Sequence, residues 1–143
     1  MRIACGVDTI RISRIRDIYN RAGDRFLDRV YTAAERHDCE SKGSGCIPSL
    51  AARFAAKEAV SKALGTGIGR EGVRLNDMEI VSGKGGQPFL VLHGRAKEYF
   101  LRIGGLQAEI SMSHDGDQAT AVCVMQFEGN LEREGSDEET MEE

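Results

Sequence analysis

The segment Leu50-Ala-Ala-Arg-Phe-Ala-Ala-Lys-Glu-Ala-Val-Ser-Lys-Ala-Leu64 limits the fold more than any other part of the chain. Alanine favours helix most strongly, and Ala51, Ala52, Ala55, Ala56, Ala59 and Ala63 all fall inside it. Ser49 is placed to cap this helix and Gly65 to end it. Small residues lie on several of its sides, so neighbouring elements can approach closely. The expected architecture is therefore built around a long central helix, with polar residues left in a crevice.

The flanking sequence supplies the other layers. Residues 2–7 form a short apolar run that reads as a strand, with Asp8 at its tip. Ile12, Ile15, Ile18, Tyr19 and Ala22 recur at gaps of three and four, which predicts an amphipathic helix closed by Gly23. After the apolar pairs Phe26-Leu27 and Val30-Tyr31, Thr32-Ala-Ala-Glu35 is a capping box opening a short helix. Residues 41–49 form a loop rich in turn formers. Met78–Val81 and Phe89–Leu92 pair as a hairpin across the turn Gly83–Pro88. A helix over Arg95–Ile103 and two strands, Ala108–Ser113 and Ala119–Phe127, complete the order. Strand, helices, strands, helix, strands is an α+β pattern with a mostly antiparallel sheet.

Charge divides the chain. The 143 residues carry 19 Lys+Arg against 23 Asp+Glu, a net charge of -4. Residues 128–143 hold eight acids and only Arg133, so this end carries -7 and residues 1–127 carry +3. An acidic end with so few apolar residues cannot bury a core, which predicts one domain over 1–127 and a disordered acidic tail over 128–143. The positive charge is concentrated in Arg11, Arg14, Arg16, Arg21, Arg25 and Arg29. The tail is opposite in sign and would be able to shield that basic helix from unsuitable partners.

No apolar run approaches the roughly 20 residues of a membrane helix, and the N-terminus lacks the apolar stretch of a signal peptide. Cys5, Cys39, Cys46 and Cys123 have no metal-site spacing. Cys5 and Cys123 lie in apolar runs and read as core residues, while Cys39 and Cys46 flank a loop and would at most form a local bridge. Free thiols and a cytoplasmic setting are expected.

Several residues are candidates for chemistry. Gly65-x-Gly67-x-Gly69 has neither the spacing nor the strand context of a dinucleotide fingerprint, and it reads as a helix cap followed by a loop. Lys57 and Glu58 point about 100° apart on the helix, whereas Glu58 shares a face with Phe54 and Lys62. Spacing alone fits a solvated ion pair; the alternative is an acid and a cation at an interior site, one for a metal and one for a phosphate. Asp8 and Glu58 together give two hard oxygen ligands. That is too few for a calcium cage but suits Mg²⁺, which keeps waters and binds substrate phosphates. His114 ends a strand beside Ser111, Ser113, Asp115 and Asp117, in a turn able to meet a ligand. His37 and His93 have no such company.

These residues occur in blocks that resemble the bacterial holo-acyl-carrier-protein synthases, the small type of 4′-phosphopantetheinyl transferase. The blocks are Gly6-Val-Asp8 with Ile12 and Arg14, Phe26–Thr32 followed by Glu35, Arg53–Ala59 with Ser61-Lys62-Ala63 and Gly65–Gly69, and Ile110–His114 with the last strand. They run in family order over roughly residues 3–127. The resemblance implies a transferase-like α+β fold and a homotrimer with sites between subunits, so that His114 would serve a neighbour. It implies transfer of the phosphopantetheine arm of coenzyme A to a serine of apo-acyl carrier protein, in lipid synthesis. Asp8 and Glu58 match the family's Mg²⁺ ligands, and Lys62 would stabilise charge on the pyrophosphate. Glu58 or a metal-bound water would take the serine proton. Lys57 and Gly65 would lie near the coenzyme, with Arg53 and His114 at its nucleotide end.

Carrier proteins are acidic, so Arg14, Arg21 and Arg25 would dock one by charge complementarity. Nucleic acid is not expected as a partner, because the folded part is only mildly basic and carries no recognition motif. Two residues depart from the family. Asp115 stands where many members have Thr, and Gln87 precedes Pro88 where a basic residue is common, leaving Lys84 as a substitute. A Mg²⁺-dependent nucleotide pyrophosphate hydrolase and a non-catalytic carrier-binding module are the alternative readings.

Overall fold

The structure is a computed structural model and describes residues 1–129. From residue 130 onward, the tail expected to be disordered lies outside the described residues. The chain opens with β1 (Arg2–Arg11), which pairs antiparallel with the final strand β5 (Gln118–Phe127). β5 also pairs antiparallel with β4 (Gly105–Asp115), so the main sheet has the order β1-β5-β4. One face of this sheet packs on the long helix α4 (Cys46–Leu64). A separate antiparallel hairpin, β2 (Met78–Ser82) and β3 (Pro88–Leu92), packs on α4 and the edge strand β4, with the helix α5 (Gly94–Arg102) also against β4. The expected α+β class with an antiparallel sheet and a central helix is what the chain adopts.

Alternation explains the sheet face. In β5, Ala119, Ala121, Cys123, Met125 and Phe127 are buried, while Val122 and Val124 point away from the helix. In β1, Gly6 and Ile10 face the helix. A side chain at position 6 would be impossible: a Cβ there would lie 2.1 Å from the Ala59 carbonyl oxygen and 2.9 Å from the Ala63 nitrogen. The glycine on the strand and the alanines on α4 thus let the two backbones touch. Ala51, Ala55, Ala56 and Ala59 are all fully buried in this layer.

Several sequence expectations change here. Asp8 is inside β1 instead of at its tip, because the strand continues through Arg11 along β5. Cys5 is exposed and not a core residue: with Gly6 facing inward, position 5 must face out. Cys123 is buried as expected, and burial pushes its thiol up to about 12. Cys39 and Cys46 form no bridge. Ser49 does not cap α4, which starts one turn earlier at Cys46; Ser49 Oγ instead meets Cys39 Sγ at 3.3 Å and accepts from Lys42 Nζ at 3.2 Å. The basic segment is two helices, α1 (Ile12–Ala22) and α2 (Asp24–Val30), so Arg25 and Arg29 are not on the same helix as Arg14 and Arg21. The Thr32–Glu35 capping box is formed and opens α3 (Ala33–Glu40).

The contact at Gly6 gives a direct test. Gly6→Ala should cost about 3 kcal/mol of unfolding free energy, because the obstructing atoms are backbone and cannot rotate away. Urea denaturation reads the change; an unaltered midpoint would mean that β1 and α4 are not in contact as described.

Candidate active site

β1 and α4 bring three of the predicted residues together. Lys62 Nζ donates to Asp8 Oδ1 at 3.0 Å and to the Val7 carbonyl oxygen at 2.9 Å. Glu58 lies one turn before Lys62 on the same helix face and is partly buried. Burial pushes the Glu58 carboxyl up, and the Asp8 charge pushes it further; Lys62 and Arg14 oppose both. Two carboxylates and a lysine therefore share one electrostatic environment near the start of α1.

The donor set bears on what cation would fit. Among the described residues, no three His, Cys, Asp or Glu side chains converge into a metal cage. The Asp8 charge works against that of Glu58, and a small hard cation whose other ligands are waters and phosphate oxygens would relieve this. The residues present fit Mg²⁺ in that mode.

Arg53 and Lys57 do not join this site. Lys57 is fully buried on the other side of α4, where Nζ donates to Glu35 Oε1 at 2.7 Å, to the Met78 carbonyl at 2.5 Å and to the Leu75 carbonyl at 3.1 Å. All three ammonium protons are used, so the expectation that Lys57 reaches a phosphate is corrected. Burial lowers its pKa, and Glu35 offsets part of that. Arg53 is 2% exposed and bonds Asp38, Ser82, Cys39 Sγ and the Glu35 carbonyl oxygen. These bonds hold Arg53 among α3 and β2, away from Asp8 and Lys62, while its Nε has no partner among the described residues. Burial alone would raise Asp38, but the Arg53 hydrogen bond and charge, with Lys42, bring it below its ordinary value.

The remaining candidates surround the centre. Gly65 ends α4 in the left-handed conformation at φ 84°, and its N–H reaches the Ser61 and Lys62 carbonyls. His114 is exposed near the end of β4, in register with Ala119, which pairs in turn with Ile10. Two strand spacings, roughly 10 Å, thus separate it from β1. It lines a cavity of about 340 Å³ with Lys42, Ser49 and Ser113. Arg14, Arg21 and Arg25 are exposed. Lys84 and Gln87 are exposed between β2 and β3, and Asp115 is exposed at the end of β4. Asp117, which the sequence placed in the ligand turn, instead caps α1: its Oδ1 accepts from the Ser13 N–H at 2.8 Å.

Residues 4–123 match the model of the 4′-phosphopantetheinyl transferase superfamily. A holo-[acyl-carrier-protein] synthase of Koribacter versatilis is 42% identical over 126 residues, spanning 88% of this chain and 99% of the relative. The chain belongs to the 4′-phosphopantetheinyl transferase superfamily. Among solved phosphopantetheinyl transferases, the Helicobacter pylori holo-[acyl-carrier-protein] synthase in complex with coenzyme A is 34% identical, with a TM-score of 0.75 over 85% of this chain and 99% of that one. The Chronobacterium ammoniagenes synthase–CoA complex is 30% identical, with a TM-score of 0.79 over 90% and 100%. Among the described residues, no helix of this transferase is long and apolar enough to cross a membrane.

The Glu35–Lys57 pair is the site's hidden support. Sequence placed Glu35 in a capping box, but its bond to a lysine 22 residues away has no local signal. Breaking a buried pair strands the remaining charge, so Glu35→Leu alone should destabilise the protein by about 3 kcal/mol. Glu35→Leu with Lys57→Met should recover most of that loss. Equal denaturation midpoints for the single and double variants would contradict the assignment.

Proposed function

We propose that this chain transfers the 4′-phosphopantetheine group of coenzyme A to a serine of apo-acyl carrier protein, releasing adenosine 3′,5′-bisphosphate. The observation that carries this reading is the meeting of Asp8, Glu58 and Lys62 where β1 crosses α4, in a chain 42% identical to a holo-[acyl-carrier-protein] synthase over nearly that relative's whole length.

In the reaction, the serine Oγ attacks the phosphorus bearing the pantetheine arm. An Oγ–P bond forms, the P–O bond to the adenosine side breaks, and the serine proton must leave. Asp8 and Glu58 would hold Mg²⁺, which when bound offsets charge on the pyrophosphate oxygens. Glu58 would accept the serine proton. Lys62 faces the same centre and neutralises charge on the departing phosphate, with Asp8 fixing its direction at 3.0 Å. Gly65 leaves open space just beyond Lys62, where the coenzyme would approach the backbone. The cavity beside His114 takes the nucleotide end.

Arg14 and Arg21 on α1, with Arg25 on α2, form the docking surface for the acidic carrier. A homotrimer completes the sites. Its support is the outer sheet face, where Ile3, Val7, Val122 and Val124 are 66%, 57%, 38% and 43% exposed and lie side by side through the Val7–Val122 and Cys5–Val124 registers. Such an apolar face calls for covering by further copies. His114, two strands from Asp8, would then serve a neighbouring copy's site. The four free thiols support a reducing, cytoplasmic setting.

Incubation with apo-carrier, coenzyme A and Mg²⁺ should raise the carrier's intact mass by one phosphopantetheine group. EDTA and Glu58→Gln should each abolish the gain. Cleaved coenzyme A with no mass gain would favour a hydrolase, and carrier binding without turnover a non-catalytic module. In the same assay, Arg14→Glu with Arg21→Glu should raise KM for the carrier about tenfold and spare KM for coenzyme A. Light scattering should give about three times 15.6 kDa; a monomeric mass would refute the trimer.

A further inference from the structure

The arginines of α1 and α2 are clustered, and among the described residues none of them has an acidic partner. Arg36 pairs with Asp24, Asp28 and Glu40, Arg53 with Asp38, and Arg102 with Glu71. Among the described residues, Arg14, Arg16, Arg21, Arg25 and Arg29 form no ion pair, and neither does Arg74 across from α2. Arg25, Arg29 and Arg74 flank a cavity of about 550 Å³ whose apolar lining is Ile68, Val73 and Leu75. Asp28 also borders it, but that carboxylate is held by Arg36 at 2.6 Å. The cavity fits an apolar side chain embedded in a run of acids.

The chain carries such a run itself. Met141 lies between Asp137-Glu138-Glu139 and Glu142-Glu143. This segment is surplus to the family fold: the superfamily match ends at residue 123, and the Koribacter relative is matched over 99% of its length by 88% of this chain. The described chain ends beside α5, which also meets the segment lining the cavity. Glu128 N–H bonds the Gly104 carbonyl at 2.8 Å just past α5, and Phe127 packs on Phe100 of that helix. On its far side α5 meets the segment lining the cavity, where Arg102 pairs with Glu71. Only one helix diameter, about 10–12 Å, needs to be crossed. Extended chain from Gly129 to Met141 reaches about 40 Å.

We propose that the acidic tail docks on its own chain, with Met141 in the cavity and its flanking acids on Arg25, Arg29 and Arg74, where it competes with an acidic carrier protein. The competition rests on the proposed docking surface; the docking of the tail does not. Tethering supplies the tail at an effective concentration of order millimolar, enough for individually weak ion pairs to occupy the surface part of the time. The tail then acts as a filter: a partner must outbid it for the arginines.

Methyl NMR on the full chain with ¹³C-labelled Met, Ile and Leu tests the docking. The Met141 methyl should show NOEs to Ile68 and Leu75 methyls, lost in Arg29→Glu with Arg74→Glu and in 0.5 M salt. A Met141 methyl at the position of a free methionine peptide, unmoved by those changes, overturns docking. Kinetics tests competition: Asp137→Asn, Glu138→Gln and Glu139→Gln together should lower KM for apo-carrier about threefold at low salt, with kcat and KM for coenzyme A unchanged. An unchanged carrier KM with Met141 docked overturns the competition alone. If Arg14→Glu leaves carrier KM unaltered while the Met141 contacts persist, the carrier surface lies elsewhere and competition is overturned, while tail docking stands.

Discussion

The close approach of β1 to α4 at Gly6 is the contact on which the site depends. Ala59 and Ala63 meet the strand backbone there, with no room for a side chain. Asp8 follows two residues later on the same strand face, and Lys62 follows Ala59 by three on the helix. The Lys62 ammonium spans the remaining gap, binding both Asp8 Oδ1 and the Val7 carbonyl. A strand held farther off would leave a long flexible lysine to close the distance at an entropic cost. Small residues in the core thus fix the separation of charged residues at its edge.

The same helix carries a second charged system with the opposite purpose. Phe54, Glu58 and Lys62 follow each other at i, i+4 on the site side. Arg53, Lys57 and Ser61 do so on the buried side, rotated by about 100°. Lys57 is saturated by Glu35 and two backbone carbonyls, that of Leu75 just before β2 and that of Met78 at its start. Glu35 also accepts from the Ile80 N–H at 3.3 Å and from the Thr32 N–H at 3.1 Å. The ammonium is therefore a peg that sets the rotation of α4 about its axis. That rotation decides where Glu58 points.

This division explains which parts of the site were legible. Spacing at i, i+4 put Glu58 and Lys62 on one face, and the resemblance of the surrounding blocks marked them, with Asp8, as candidates for the site. Lys57 and Arg53 belong to the same motif, but spacing gives only the angle between side chains, not what lies against each. The partners, Glu35 and Asp38, come from α3, and their approach is a tertiary fact. The early start of α4 was hidden for the same reason. Turn-forming Gly43–Gly45 reads as loop, while Tyr31 Oη–H on the Leu50 carbonyl and Ser49 with Cys39 anchor the extra turn from outside. Cys5 did have a readable signal, since strict alternation around an inward Gly6 puts it outside.

Asp117 adds a constraint that ties the β4–β5 turn to the start of α1. α1 starts directly after β1, and its N-cap residue Arg11 offers no acceptor. Its first-turn N–H groups would be left unpaired. The β4–β5 turn supplies the missing cap: the Asp117 carbonyl accepts from the Ile12 N–H at 2.8 Å, and its carboxylate from the Ser13 N–H and, at 2.6 Å, from the Ser13 hydroxyl. Those two Ser13 bonds hold the Asp117 carboxyl below its ordinary value. An acid at a helix N-terminus also complements the helix dipole. The turn that fixes the arginine-bearing helix is therefore the turn that ends the His114 strand.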